Sequence, residues 1–334
     1  MSGWKSHLKA DPTAWLLEDD NPSVAYIART DLLGEAETDP EVMKARAAIM
    51  TRGAVPVILA AQDGGRWNAP GRHYVDKYTG TVWQLIILAE HYADGNDPRI
   101  QKACHYILQD AQDRESGGFA IHPAAKGGGR HSEVIPCLTG NMVWSLIRLG
   151  LLDDPRVQAG IDWIAKYQRF DDGIPDPPTG WPYDLSEACW GSHTCHMGAV
   201  KALKALAEIP EKRRTDAVAG TIAKGVDYLL LHRVFKKSHD LSAVAKPGWL
   251  KFQFPLMYQT DVLEIARILL GLNCRDPRLE ESVALILSKQ DEKGRWPLEN
   301  TFNGKYIRDI ETKGKPSKWI TLNALRVLKK YFGE

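Results

Sequence analysis

Between positions 189 and 196 the chain reads Cys-Trp-Gly-Ser-His-Thr-Cys-His, placing two thiols and two imidazoles within eight residues. Thiolate sulfur and imidazole nitrogen are the usual zinc donors, and a structural site needs four of them in a tetrahedron. Cys189, His193 and Cys195 supply three, with His196 the alternative to His193, and Cys137 is the expected fourth. With only three ligands bound, the open position would give zinc a Lewis-acid or water-activating role. The spacing is not that of a Cys-x-x-Cys module, so a metal-free chemistry stays open beside it. Cys195 then acts as nucleophile or base at a helix N-terminus, where the thiolate form is favoured, with an imidazole as its partner. In a third reading Cys137 and Cys189 are small core residues and the histidines are satisfied by hydrogen bonds.

Asp261 ends the run Met257-Tyr258-Gln259-Thr260-Asp261 and is expected one turn into a buried helix. A carboxylate there is costly unless it is paired or working. It therefore reads as a general acid, metal ligand or cation stabiliser, or else as the partner of a Lys or Arg. His193, His196, Cys195 and Asp261 form the expected catalytic group. His73, Tyr74, Trp144, Trp190, Tyr258 and Trp319 are the expected substrate-facing wall. Gly127-Gly128-Gly129-Arg130 lacks the Lys-Ser/Thr ending of a phosphate loop and is expected to be a flexible cover over the site.

These residues need a frame, and an internal repeat provides it. Asp-Pro-Arg recurs at 97–99, 154–156 and 276–278, each time opening a helical run. Asp is a good N-cap, and Pro tolerates the first helical position because its missing N–H would have no partner there. These helices end in Gln followed by a glycine turn, as at Gln109 or Gln112, Gln168 and Gln290, with Gln62 a further case. Between the turns lie helices that are apolar over most of their circumference, at 22–33, 80–91, 139–149, 195–207, 258–270 and 317–331. Aligning Leu88, Leu149, Leu206, Leu269 and Leu328 gives a period of about 60 residues, two helices per period. Six buried helices alternating with amphipathic ones predict an all-α chain: an (α/α)6 toroid of six helical hairpins around a central cavity, one domain over 1–334. The same register puts Cys137 and Cys195 near the starts of neighbouring buried helices.

Gln290-Asp-Glu-Lys-Gly294-Arg-Trp296 and Gln62-Asp-Gly-Gly-Arg-Trp67 resemble the glutamine–tryptophan motifs of the terpene cyclase and protein prenyltransferase superfamily. The likeness extends along nearly the whole chain through the repeat, and is similar to that of bacterial proteins known only as prenyltransferase-like. It implies the toroid, with Gln62, Trp67, Gln290 and Trp296 tying outer helix ends to their neighbours. The chain departs from both best-known activities. It has no Asp-x-Asp-Asp run for protonating a polyene, and no Asp-x-Cys pair for prenyltransferase zinc. Fold analogy alone does not transfer a reaction.

Composition narrows the partners. The chain has 334 residues, 44% hydrophobic and 25% charged, with a net charge of +1. Without a run of five or six like charges, neither nucleic acid nor an anionic membrane is expected. The basic triplet Lys212-Arg213-Arg214 reads as a solvated face opening an outer helix. Residues 1–20 carry charges throughout and no apolar segment, so neither a signal peptide nor a membrane span is expected, and the compartment is expected to be cytoplasmic. Five cysteines in a long chain argue for free thiols or a metal site rather than a disulfide framework.

The expected protein is an enzyme acting on a mainly hydrophobic isoprenoid or aromatic small molecule by acid- or zinc-assisted elimination, isomerisation or group transfer. Two other classes compete. One is a carbohydrate-processing α/α barrel led by His73, His131, Glu133 and Trp319. The other is a non-catalytic protein-binding toroid, and homo-oligomerisation is open in either case.

Overall fold

The computed structural model describes residues 3–333, leaving Met1, Ser2 and Glu334 outside. Among the described residues the architecture is all-α apart from one antiparallel hairpin, Lys236–Lys237 with Asp240–Val244. None of its helices is long and apolar enough to cross a membrane.

Six inner helices carry the core. They are Pro22–Ile27, continued as a π-turn over Ala28–Leu33, then Thr81–Glu90, Pro136–Arg148, His196–Ala207, Val262–Gly271 and Lys318–Phe332. Every residue of Thr81–Glu90 is buried, and so is all of Pro136–Arg148 except Arg148. That is the burial an all-round apolar helix requires. Two starts differ from the sequence expectation. The third inner helix begins at Pro136 rather than 139, because Pro takes its first turn. The fifth begins only after Asp261, which is its N-cap and not a residue within it.

Outer helices alternate with these: Pro40–Ile49, Pro98–Asp110, Pro155–Tyr167, Asp216–Leu231 and Glu280–Ser288. Pro98–Asp110 buries Ile100, Ala103, Cys104, Ile107 and Leu108, the stripe spaced by three and four that an amphipathic helix lays on a core. Asp97, Asp154 and Asp276 each accept the backbone N–H two residues on at 2.8 Å. In all three, the Arg at that position folds its guanidinium back onto the same carboxylate. Asp39-Pro40-Glu41 makes a fourth such start without the Arg, and the sequence pattern had not included it.

The Gln-turn motif is a clasp. Gln62 donates to the carbonyl of Arg99 at 3.0 Å, Gln112 to that of Arg156 at 2.7 Å, and Gln290 to that of His7 at 3.2 Å. The first two reach the starts of the next outer helices, and the third reaches the end of the short turn Gly3–His7. Five to seven residues past each Gln, the backbone N–H of Trp67, Phe119 or Trp296 donates to Thr81, Thr139 or Thr321 of an inner helix. Gln168 differs, bonding only its neighbour Arg169. The threonine bonds also correct the internal register: Thr139 corresponds to Thr81 and Thr321, so Leu146 rather than Leu149 is the counterpart of Leu88 and Leu328.

Each inner helix packs on the next in sequence from Thr81–Glu90 onward, and the last packs on the first. Ser23 of the first donates to the carbonyl of His91, just past the second, at 2.8 Å. The closest pair is Pro136–Arg148 with His196–Ala207. A Cβ at Gly140 would lie 2.5 Å from the Lys201 backbone, so only glycine permits this approach.

Candidate functional site

The starts of the second to fifth inner helices hold the chemistry-bearing side chains. Cys195 is the N-cap of His196–Ala207. A hydrogen bond from the Cys189 thiol, then the N–H groups of Gly198 and Met197, and then Lys246 hold its thiol down to about 6, against the pull of burial. Cys189 lies on the single turn Glu187–Trp190, and donating that bond pushes its own thiol up. Cys137, second in its helix, is pushed up to about 12 by burial and next by the charge of Cys195. Three thiols thus share one corner, and Cys195 is the one that ionises. All five cysteines are free.

Three aromatic rings stand beside this corner. Tyr74, from the loop before the second inner helix, has its phenol pushed up first by burial and then by Cys137, Tyr258 and Cys189. Trp83 donates its indole N–H to the Tyr74 carbonyl at 3.0 Å, and its ring lies 5.1 Å from Tyr74 and 6.1 Å from Tyr258. The ammonium of Lys77 sits among all three, 4.6 Å from the Tyr258 ring, 4.8 Å from Tyr74 and 5.8 Å from Trp83. Ring faces attract cations at such distances, most strongly when solvent is excluded. Lys77 itself is exposed, and among the described residues it forms no ion pair. Tyr78 completes the wall, hydrogen-bonded from Gln259 at 3.4 Å and packed edge-on to Trp83.

The histidines of the Cys-His run face elsewhere. His193 is exposed, and its Nδ1 lies 3.0 Å from Asp172 Oδ1. Ser238 donates to the other oxygen of Asp172, which lies 3.8 Å from His232 Nε2. His196 stacks on Trp249 at 4.1 Å, and burial pushes its imidazole down to about 3. Of the expected zinc donors, Cys189 bonds Cys195, Cys137 lies within their electrostatic reach, and His193 turns to Asp172. Among the described residues no three His, Cys, Asp or Glu side chains form a group fit to hold a metal ion.

Asp261 uses both carboxylate oxygens as a cap, accepting from Glu264 N at 2.8 Å and from Gln253 N at 2.9 Å. Burial pushes it up to about 7. It has no Lys or Arg partner at salt-bridge distance among the described residues. The remaining wall candidates scatter. His73 is fully buried with Nε2 on the Ala120 carbonyl at 3.0 Å. Trp190 is buried against Trp163 and Tyr183. Trp319 is buried, stacked on Phe254 at 4.1 Å. His131 pairs with Asp113 and stacks on Trp181, while Glu133 pairs with His122 and Arg130.

Trp144 lies away from the thiol rim, in the last turns of its helix. Its indole N–H donates to Glu208 at 3.3 Å, under the Lys204 ammonium at 3.7 Å. Gly127 to Gly129 do not form a loose cover. Gly128 and Gly129 donate to the carbonyls of Gln109 and Gln112 at 3.0 and 2.7 Å. A Cβ at Gly129 would meet the Ala111 carbonyl at 2.2 Å, so the glycines permit close backbone docking. Arg213 pairs with Asp153 and Arg214 caps the carbonyl of Ile209, in a short turn ahead of helix Asp216–Leu231.

The interior between the two ends is filled by ion pairs. Lys201 lies 2.7 Å from Glu264, and Lys204 lies 2.6 Å from Glu90 and 3.2 Å from Glu264. The residues come from the second, fourth and fifth inner helices, so the bonds span the core. A small void of about 10 Å³ lies beside Glu90 and Glu264. The sequence reading missed this network, Lys77 and Trp83. Lys201 and Lys204 in an apolar run were the available signal, since a buried helix carries lysine only where an acid meets it.

No family model and no curated protein matches the chain. Two solved structures are similar in part, both variants of the type II terpene cyclase MstE from Scytonema. One, in complex with merosterolic acid A, has 15% identity and a TM-score of 0.31 over 85% of this chain and 96% of that one. The other, in complex with geranylgeranyl dihydroxybenzoate, has 14% identity and a TM-score of 0.30 over the same shares.

Proposed function

We propose that the chain is an enzyme acting on a mainly apolar isoprenoid or aromatic small molecule by acid–base-assisted elimination, isomerisation or group transfer, at the rim where its inner helices begin. We also infer that the helix pairs close into a single (α/α)6 toroid over 1–334. The clasp from Gln290 to His7 and the packing of the last inner helix on the first support closure.

The observation that carries the functional reading is the ammonium held between the rings of Tyr74 and Tyr258, with the fully buried Trp83 ring 5.8 Å away. A site that holds Lys77 by ring faces will hold a ligand carrying or developing positive charge in the same place once the exposed lysine swings out. Cys195, held as thiolate near neutrality, is the base beside it, and Cys189 orients that sulfur. His193, set by Asp172, serves as the outer acid. His196 and Asp261 act as positioning residues, through the stack on Trp249 and the helix cap.

The test is ligand binding and turnover together. Benzyltrimethylammonium, a fixed aromatic cation, should quench tryptophan fluorescence, bind more tightly to Lys77→Ala and lose about tenfold in affinity in Trp83→Leu. A panel of isoprenoid alcohols and aryl isoprenoids should be turned over by wild type and slowed at least about 100-fold in Cys195→Ser. Absence of ammonium binding in Lys77→Ala removes the cage. Turnover undiminished in Cys195→Ser removes the thiolate.

The filled interior favours a second reading, a non-catalytic toroid that presents a rim to a protein. It stands if Lys77→Ala binds no cation and no substrate in the panel is converted.

A further inference from the structure

At the opposite end of the inner helices from the thiols, a cavity of about 560 Å³ opens between the ends of the first, fifth and sixth. Its charged lining is Arg267, Arg275, Arg326, Lys329 and Lys330, against one carboxylate, Asp31. The whole chain carries a net charge of only +1, so five cations around one cavity is a local concentration.

Helix C-termini attract cations, and part of the cluster is explained that way. Lys329 donates to the carbonyls of Asp31 and Leu32 at 3.1 Å, and Arg326 pairs with Asp31 at 2.7 Å. The rest is not used up by the fold. Arg267 is largely buried, yet its nearest carboxylate oxygen, on Glu90, is 4.0 Å away and already holds Lys204 at 2.6 Å. Arg275 and Lys330 stand exposed at the mouth with no ion pair among the described residues. A guanidinium drawn out of water with a partner that distant is under-compensated, and its planar donors suit an incoming oxyanion. Arg267 and Arg326 also line a neighbouring recess of about 150 Å³, whose other charged groups are Lys204 and Glu208.

We propose that this cavity is a binding site for a small, multiply charged oxyanion of the phosphate type, with Arg267 as its inner anchor and Arg275 and Lys330 as its outer clamp. It is independent of the chemistry assigned to the thiol rim.

Titration calorimetry of the whole chain with inorganic pyrophosphate at low salt tests it. Wild type should bind with a dissociation constant below about 1 mM. Arg267→Ala and the paired Arg275→Ala/Lys330→Ala should each weaken binding at least about tenfold. The outer pair is exposed, so its variant keeps the fold even if Arg267→Ala loosens the ion-pair network, and circular dichroism checks both. Affinity unchanged in the outer pair overturns the proposal, as does no binding by wild type. So does a loss seen instead in Lys212→Ala/Arg213→Ala/Arg214→Ala, which would assign the anion to a surface turn.

Discussion

Cys195 and Asp261 show how local surroundings set opposite ionisation behaviour at two helix starts. Cys195 receives the Cys189 thiol and backbone N–H groups, which favour its charged form. Iodoacetamide labelling followed by peptide mass spectrometry should modify Cys195 with a pH midpoint near about 6, while Cys137 stays unlabelled at neutral pH. Its depressed value also adds stability that is fully present above the unfolded value of 9.0 and is lost as pH falls through about 6. Asp261 has the reverse sign. Burial raises it from 3.8 to about 7, so its ionisation costs stability as pH climbs between those values. Asp261→Ala leaves the N–H groups of Glu264 and Gln253 without acceptors. Urea denaturation at pH 6 should show a loss of about 3 kcal/mol. A loss under about 1 kcal/mol would mean water replaces the cap.

Helices and their starts were the legible part of the sequence. The Asp-Pro-Arg runs announce N-caps because Asp, Pro and Arg each have a separate reason to stand there; all three make the same Asp bond, and Asp276 caps a 3-10 turn, Pro277–Leu279, ahead of its α-helix. The apolar runs gave five of the six inner helices to within about three residues at each end. Asp261 was misplaced because an acid beside an apolar run reads equally as a buried residue or as a cap, and periodicity does not separate the two. Site residues were harder to read. The Cys-His run is contiguous in sequence, yet its side chains leave in different directions: the thiols toward Cys137, His193 toward Asp172, and His196 toward Trp249. Lys77 and Trp83 come from a different repeat, and only folding brings them to Tyr258.

The clasps permit a test at the scale of these elements. Gln290→Ala removes bonds to both Lys9 and His7. It should lower stability by about 1–2 kcal/mol in a urea titration. Hydrogen exchange should rise together around residues 7–9 and 289–296, a joint response expected only if the chain ends are joined there.

Across the whole molecule, the buried network of Lys201, Lys204, Glu90 and Glu264 ties the fourth inner helix to its neighbour, the fifth, and also to the second, which is not its neighbour. Burial alone would raise Glu90, but Lys204 and then Arg267 hold it down to about 2, and Glu264 is lowered likewise by Lys201 and Lys204. The two carboxylates therefore contribute stability present above the unfolded value of 4.5 and lost as pH falls toward about 2, while burial lowers Lys201 and so opposes its charged form. Lys204→Met leaves Glu90 with no cation nearer than Arg267 at 4.0 Å, while Glu264 keeps Lys201, and should cost about 3–5 kcal/mol at neutral pH. Replacing Lys201 and Glu264 together by Met and Leu should cost far less. Thermal melts of the two variants compare these outcomes. Added salt should shift the wild-type midpoint little, because the charges are shielded from solvent ions.

A core bridged by these charges also governs traffic. On the proposed function, a molecule held against Tyr74 and Tyr258 would leave past Lys77, the way it entered, because the ion pairs of Lys201 and Lys204 bridge the core between the two helix ends.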